Sequence, residues 1–112
     1  MKRFRIGNDI EVRWSVRKNG ENAVLSDKTI KLYMTHSRGK EEITSFSVEG
    51  GNKVKFVLEG LKQNVLGKYT LTIDVRNNSG SRYLIADKCG AFELVGRSCV
   101  EEPEETDYII EL

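Results

Sequence analysis

Few residues in this chain are of types that carry chemistry. There is one histidine, His36, and there are two cysteines, Cys89 and Cys99. A run of carboxylates, Glu101-Glu102-Pro103-Glu104-Glu105-Thr106-Asp107, lies near the C-terminus. A hydrolytic centre needs a nucleophile, a base and a group that orients the base. His36 stands in His36-Ser37-Arg38-Gly39, a turn signal, and reads as a solvent-exposed turn histidine. No local context pairs it with either cysteine. The cysteines are ten residues apart with no histidine nearby, so neither a C-x-x-C nor a His/Cys zinc cluster exists. The acidic run lacks the glycine and the ligand spacing of a calcium loop. Gly50-Gly51 and Gly39-Lys40 are isolated glycines without the strand, loop and helix of a phosphate cradle. The chain is therefore expected to be noncatalytic, with no cofactor and no metal.

Binding chemistry offers more. Arg3, Arg5, Arg13 and Arg17 fall in the outward register of the first two expected strands. Four arginines on one face could hold phosphates. No outward aromatic row accompanies them, as stacking on a single strand requires, and Glu11 dilutes the patch. Nucleic acid is not the expected partner; a solvated or inter-subunit face is. A carbohydrate site would need an outward aromatic pair, and Tyr33 with Tyr83 is the candidate.

The elements that must position these residues follow a period of two, the signature of half-buried strands. Ile10, Val12, Trp14 and Val16 share one face, as do Ile30, Leu32 and Met34. A weaker strand runs from Ile43 to Val48, with Phe46 and Val48 inward. Val54, Phe56 and Leu58 follow, then Tyr69, Leu71, Ile73 and Val75. Arg82 to Asp87 and Ala91 to Val95 form a strand with a kink at Cys89-Gly90. Turn signals stand between the strands: Gly7-Asn8-Asp9, Asn19-Gly20, Gly50-Gly51 and Asn77-Asn78-Ser79-Gly80. Gly60 to Leu66 breaks the pattern and can hold one helical turn. Seven to eight short strands at this spacing predict an all-β, immunoglobulin-like antiparallel sandwich. Gly67-Lys68-Tyr69-Thr70-Leu71 has the form of the corner before the sixth strand of such a domain. Leu71 stands where antibody domains carry the second cysteine. The expected core gathers Trp14, Leu32, Phe56, Leu71 and Ile73.

Size and charge bound the rest. With 112 residues the chain is one domain, large enough for one core. Hydrophobic residues are 38% and charged residues 31%, polar but short of disorder. No apolar run approaches the ~20 residues of a membrane helix. No apolar segment of signal-peptide length follows the basic start, so synthesis in the cytoplasm with free thiols is expected. The net charge of +1 hides a gradient. Residues 1–40 carry ten bases and four acids; residues 99–112 carry six acids and no base. Residues 1–98 are expected to form the sandwich, and residues 99–112 an acidic linker with an apolar end. Tyr108, Ile109, Ile110 and Leu112 would be costly to leave in water. They are expected to pack on an N-terminal edge strand, on the same or a symmetry-related chain.

The string MKRFRIGNDIEVRWSVRKNG, with Lys28-Thr29-Ile30-Lys31-Leu32-Tyr33 and Gly67-Lys68-Tyr69-Thr70-Leu71-Thr72, resembles the N-terminal immunoglobulin-like module of phage-type baseplate upper and tail-fibre-associated proteins. The likeness covers roughly residues 1–95 and brings no catalytic residues. It implies a structural or assembly module of a phage-like tail or baseplate, often in a homo-oligomer. Its partners would be other structural proteins or a downstream module of the same polypeptide, and its destination a virion or phage-like particle. The other reading of the same fold is a carbohydrate- or protein-binding cell-surface module.

Overall fold

The structure, a computed structural model, describes residues 1–97 and 107–112. Among these the chain forms β1 (Lys2–Arg5), β2 (Ile10–Ser15), β3 (Arg17–Lys18), β4 (Glu21–Asn22), β5 (Thr29–His36) and β6 (Gly39–Ile43). Then come β7 (Ser47–Glu49), β8 (Lys53–Leu58), a 3-10 turn (Gly60–Lys62), β9 (Gly67–Arg76), β10 (Arg82–Val95) and β11 (Ile109–Glu111). No α-helix is present among the described residues, and none is long and apolar enough to cross a membrane.

Two sheets carry the fold. One has the order β1-β10-β9-β5-β6, the other β11-β2-β8-β7, and β3 and β4 form a separate hairpin. Most neighbours are antiparallel, but β1 lies parallel to β10, and β11 parallel to β2. The inward faces meet in one continuous core. Ile10, Val12, Trp14, Val54 and Phe56 from one sheet face Leu32, Met34, Leu71, Ile73, Phe92 and Leu94 from the other. The five residues expected at the centre are all buried: Trp14, Leu32, Phe56, Leu71 and Ile73. The alternation in β2 explains why: odd and even residues fall on opposite faces, and the even ones are apolar.

Turn chemistry sets the hairpins. Asn19 and Gly20 both take positive φ, +53° and +80°, as a two-residue hairpin turn between β3 and β4 requires. Gly90 has a φ of +59°, and the pairing of β10 with β9 shifts between Lys88 and Phe92. This is the expected kink, a bulge within one long strand. Gly60 makes a different demand, since a Cβ there would lie 2.3 Å from the Gly7 carbonyl oxygen. The 3-10 turn can approach the β1–β2 turn only because the residue is glycine.

The expected strand from Ile43 to Val48 is corrected. Ile43 ends β6 in the first sheet, Val48 lies in β7 of the second, and residues 44–46 cross between the sheets. The charged sequence Lys40-Glu41-Glu42 hides β6, because an edge strand needs no apolar alternation on both faces. Val48 is directly opposite buried Val54 and so in the inward register, yet it is 37% exposed. It sits on the outermost strand, with no neighbour to cover it.

Candidate interaction surfaces

The corner before β9 is built from one buried hydrogen bond. The Tyr69 hydroxyl donates to the Val65 carbonyl at 2.5 Å. Its ring stacks on Phe92 with centroids 4.8 Å apart. Burial, and next the charge of Glu41, push the Tyr69 phenol above its usual range. The hydroxyl therefore keeps its proton and remains a donor.

His36 is not the solvent-exposed turn residue expected from its neighbours. It ends β5, and only 6% of its side chain is exposed. The ring packs against Tyr69 at 5.3 Å. Nδ1 accepts from the Arg38 amide at 3.1 Å, so Nε2 carries the hydrogen and donates to Glu41 at 2.8 Å. The reason lies in β5 parity. Leu32, Met34 and His36 share the inward face, and the strand extends far enough to bring His36 under the sheet.

The four arginines Arg3, Arg5, Arg13 and Arg17 do not share a face. Arg3 and Arg5 belong to β1 in the first sheet, Arg13 to β2 in the second, and Arg17 to the β3–β4 hairpin. The turn at Gly7-Asn8 moves the chain from one sheet to the other, so consecutive strands present separate surfaces. Arg3 lies 3.6 Å from Glu93 on β10. Arg17 donates to the Gly20 carbonyl and braces its own hairpin.

Arg13 lies at the centre of a ribbon of charge across the outer face of the second sheet. Glu111 on β11 meets Arg13 at 3.1 Å, and Arg13 meets Glu11 at 2.5 Å. Lys55 on β8 lies 3.4 Å from Glu11 and 3.6 Å from Glu49 beside it. The Arg13 hydrogen bond is the main reason the Glu11 carboxyl is held below its usual range; partial burial opposes this, and Lys55 adds to it. Alternating charges thus join all four strands. The ribbon is an exposed tie rather than a strong one, because such pairs are screened by water and salt.

The C-terminal residues complete this sheet. Ile110 lies opposite Val12 and is buried, whereas Ile109 lies opposite Glu11 and is 38% exposed. The Tyr108 ring packs on Phe4 at 5.7 Å, and Leu112 packs half-buried against the core. The Glu11 amide donates to the Tyr108 carbonyl and the Ser15 amide to the Leu112 carbonyl, while the Leu112 amide donates to the Arg13 carbonyl. This end of the chain lies on an N-terminal strand of its own domain.

Tyr33 and Tyr83 do not form a platform. Tyr33 aligns with Thr72 on β9, which aligns with Asp87 on β10, four residues along from Tyr83. Two strand spacings across and four residues along separate them by about 16 Å. Lys40 covers the Tyr33 ring at 4.3 Å. Lys18 and Lys28 cover the Tyr83 ring at 3.9 and 4.8 Å, and the Tyr83 hydroxyl accepts from the Val24 amide. This two-lysine cluster leaves no trace in local sequence, since its members are 10 and 55 residues apart.

Between β6 and β7 an open cleft of about 760 Å³ has an apolar floor that includes Met34, Phe46 and Leu58 and a charged rim with Glu42 and Lys62. Cys89 is an exposed free thiol, while Cys99 and the run Glu101–Glu105 lie outside the described residues. No cluster of three or more His, Cys, Asp or Glu suited to a metal ion exists among the described residues. Comparison with protein-family models, with curated proteins and with solved structures returns no match.

Proposed function

We propose that this chain is a noncatalytic assembly module, an immunoglobulin-like sandwich that anchors a phage-like tail or baseplate protein. The strand order is the observation that supports the immunoglobulin-like part of the reading. β10, β9, β5 and β6 stand in the order G-F-C-C′, and β2, β8 and β7 in the order B-E-D, of an immunoglobulin variable-type domain. β11 occupies the place beside the second strand where such a domain has its first strand. The Tyr69 hydrogen bond is the corner that accompanies that order. The chain's one imidazole is spent on tying β5 to β6. The resemblance of residues 1–95 to phage-type modules supplies the particle, and fold alone does not.

The test is sedimentation of phage-like particles from the native host after induction, with this chain followed by an antibody. The chain is expected to travel with the particles through a density gradient at a fixed ratio to the tail proteins. A chain left wholly in the particle-free fraction overturns the reading.

A further inference from the structure

We propose that two copies of this chain pair edge to edge through β6, antiparallel about a twofold axis at Glu41, so that their first sheets join into one. The inference rests on the assembly reading above and deepens it by naming a copy of the chain as the partner.

β6 ends the first sheet, and among the described residues no strand lies on its far side. With five residues it is the longest of the four strands at sheet edges, against four in β1 and three each in β7 and β11. Gly39 to Glu42 are exposed. The hairpin with β5 decides which backbone groups are open. His36 lies opposite Gly39 with two residues between them, so this pair closes the hairpin and exchanges both its hydrogen bonds. Alternation then makes Met34 with Glu41 and Leu32 with Ile43 the other hydrogen-bonded pairs. The N–H and C=O groups of Lys40 and Glu42 therefore point away from β5 and present an open edge.

Such edges are commonly guarded by charge. Here the charges select one register rather than forbid every one. Two antiparallel copies of β6 must set open residues opposite open residues, so the axis passes through Lys40, Glu41 or Glu42. At Lys40 it opposes lysine to lysine, and at Glu42 glutamate to glutamate. At Glu41 it sets Lys40 of each copy opposite Glu42 of the other and pairs the strand along its whole length. Two hydrogen-bonded pairs of opposite charge result, with two backbone bonds each. Within one copy these charges also have neighbours on the outer face. Lys40 stands over the Tyr33 ring at 4.3 Å, Glu42 lies opposite Tyr33, and Lys31 is two residues along. The contact of Glu41 with Glu41 opposes the pairing, although each carboxylate accepts from its own His36 Nε2 at 2.8 Å. On the inward face the core opens beneath β6 into the cleft toward β7, over Met34, Phe46 and Leu58. The axis at Glu41 brings the clefts of the two copies face to face.

The experiment is sedimentation velocity of the full chain from about 10 µM to about 1 mM, with amide hydrogen exchange at both ends of that range, because so short an edge makes a small interface. A monomer–dimer equilibrium is expected. The Lys40 and Glu42 amides should gain protection in the dimer, while the Glu41 and Ile43 amides, already bonded to β5, should change little. Lys40→Glu and Glu42→Lys are each expected to weaken self-association at least tenfold. An equimolar mixture of the two should restore it, since in the mixed pair every contact between positions 40 and 42 is again Glu with Lys. Glu41→Gln should tighten the dimer severalfold by removing the like-charge contact. Glu42→Pro deletes an N–H that β5 does not use, which an edge strand tolerates, and should leave a monomer with the melting temperature nearly unchanged. A wild-type chain that stays monomeric at about 1 mM overturns the proposal. So do association unaffected by Glu42→Pro, a Glu41→Gln chain that associates less tightly than wild type, and a mixture of the two charge variants that stays monomeric. Any of these results leaves co-sedimentation with particles untouched, so the two readings fail separately.

Discussion

Ile109 and Ile110 are adjacent, chemically identical and placed on opposite faces of β11, so truncating each in turn tests the parallel pairing with β2. Ile110 is 1% exposed and Ile109 38%. Fully burying an isoleucine contributes ~1.5–3 kcal/mol. Half-burial of Tyr108 and Leu112 adds about 2 kcal/mol on the same scale. Three backbone hydrogen bonds flanking the strand ladder, together with the ladder bonds of β11 itself, hold residues 108–112 to β2, each worth a net ~0.5–1.5 kcal/mol. Ordering five residues opposes this by ~1–2 kcal/mol each. The two sides are of similar size, so β11 can detach while the body of the domain stays folded. Ile110→Ala is therefore expected to detach the strand and to cost about 2 kcal/mol, as the body of the domain survives its loss. Ile109→Ala should cost less than ~0.5 kcal/mol, as an exposed substitution does. Urea unfolding reads both costs. Amide hydrogen exchange supplies a local readout, because the Glu11 and Ser15 amides donate to the Tyr108 and Leu112 carbonyls. Both amides should lose protection in Ile110→Ala and keep it in Ile109→Ala. Equal costs for the two variants, or protection retained in both, would refute the register.

Trp14→Ala should cost ~3–5 kcal/mol in urea unfolding, because Trp14 is 2% exposed at the centre of the core. Tyr69→Phe leaves the Val65 carbonyl without its buried donor and should cost ~1–3 kcal/mol. The raised Tyr69 pKa means that the folded state holds its proton more firmly than the unfolded state. Stability should therefore fall as pH rises above the ordinary tyrosine value of 10, a loss that Tyr69→Phe removes. At the acid end, burial raises the Asp74 pKa, but hydrogen bonds from Arg82 and Arg76 outweigh it and leave the carboxyl below its ordinary 3.8. Asp74 thus stabilises the fold above that value, and the advantage of wild type over Asp74→Asn should vanish as pH falls below it. Urea midpoints measured from pH 7 to pH 2.5 check this.

The sequence alone was enough to determine the β class, because a period of two commits each apolar set to one face and leaves the other to solvent. The inward registers of β2, β5, β8 and β9, the Asn19-Gly20 hairpin, the bulge at Gly90 and the Tyr69 corner all follow from residue type and spacing nearby. Strand assignment was less legible where charge hid the period, as in Lys40-Glu41-Glu42. It was also lost where three residues carry the chain from one sheet to the other. What only the tertiary structure decided is which outward residues share a surface. Arg3, Arg5, Arg13 and Arg17 have one parity but lie on different sheets and a hairpin, because parity fixes the face of a strand and not the sheet it joins. Lys18, Lys28 and Tyr83, and the ribbon from Glu111 to Glu49, unite residues tens of positions apart. Strand order brings them together, and strand order depends on long-range pairing that no local spacing encodes.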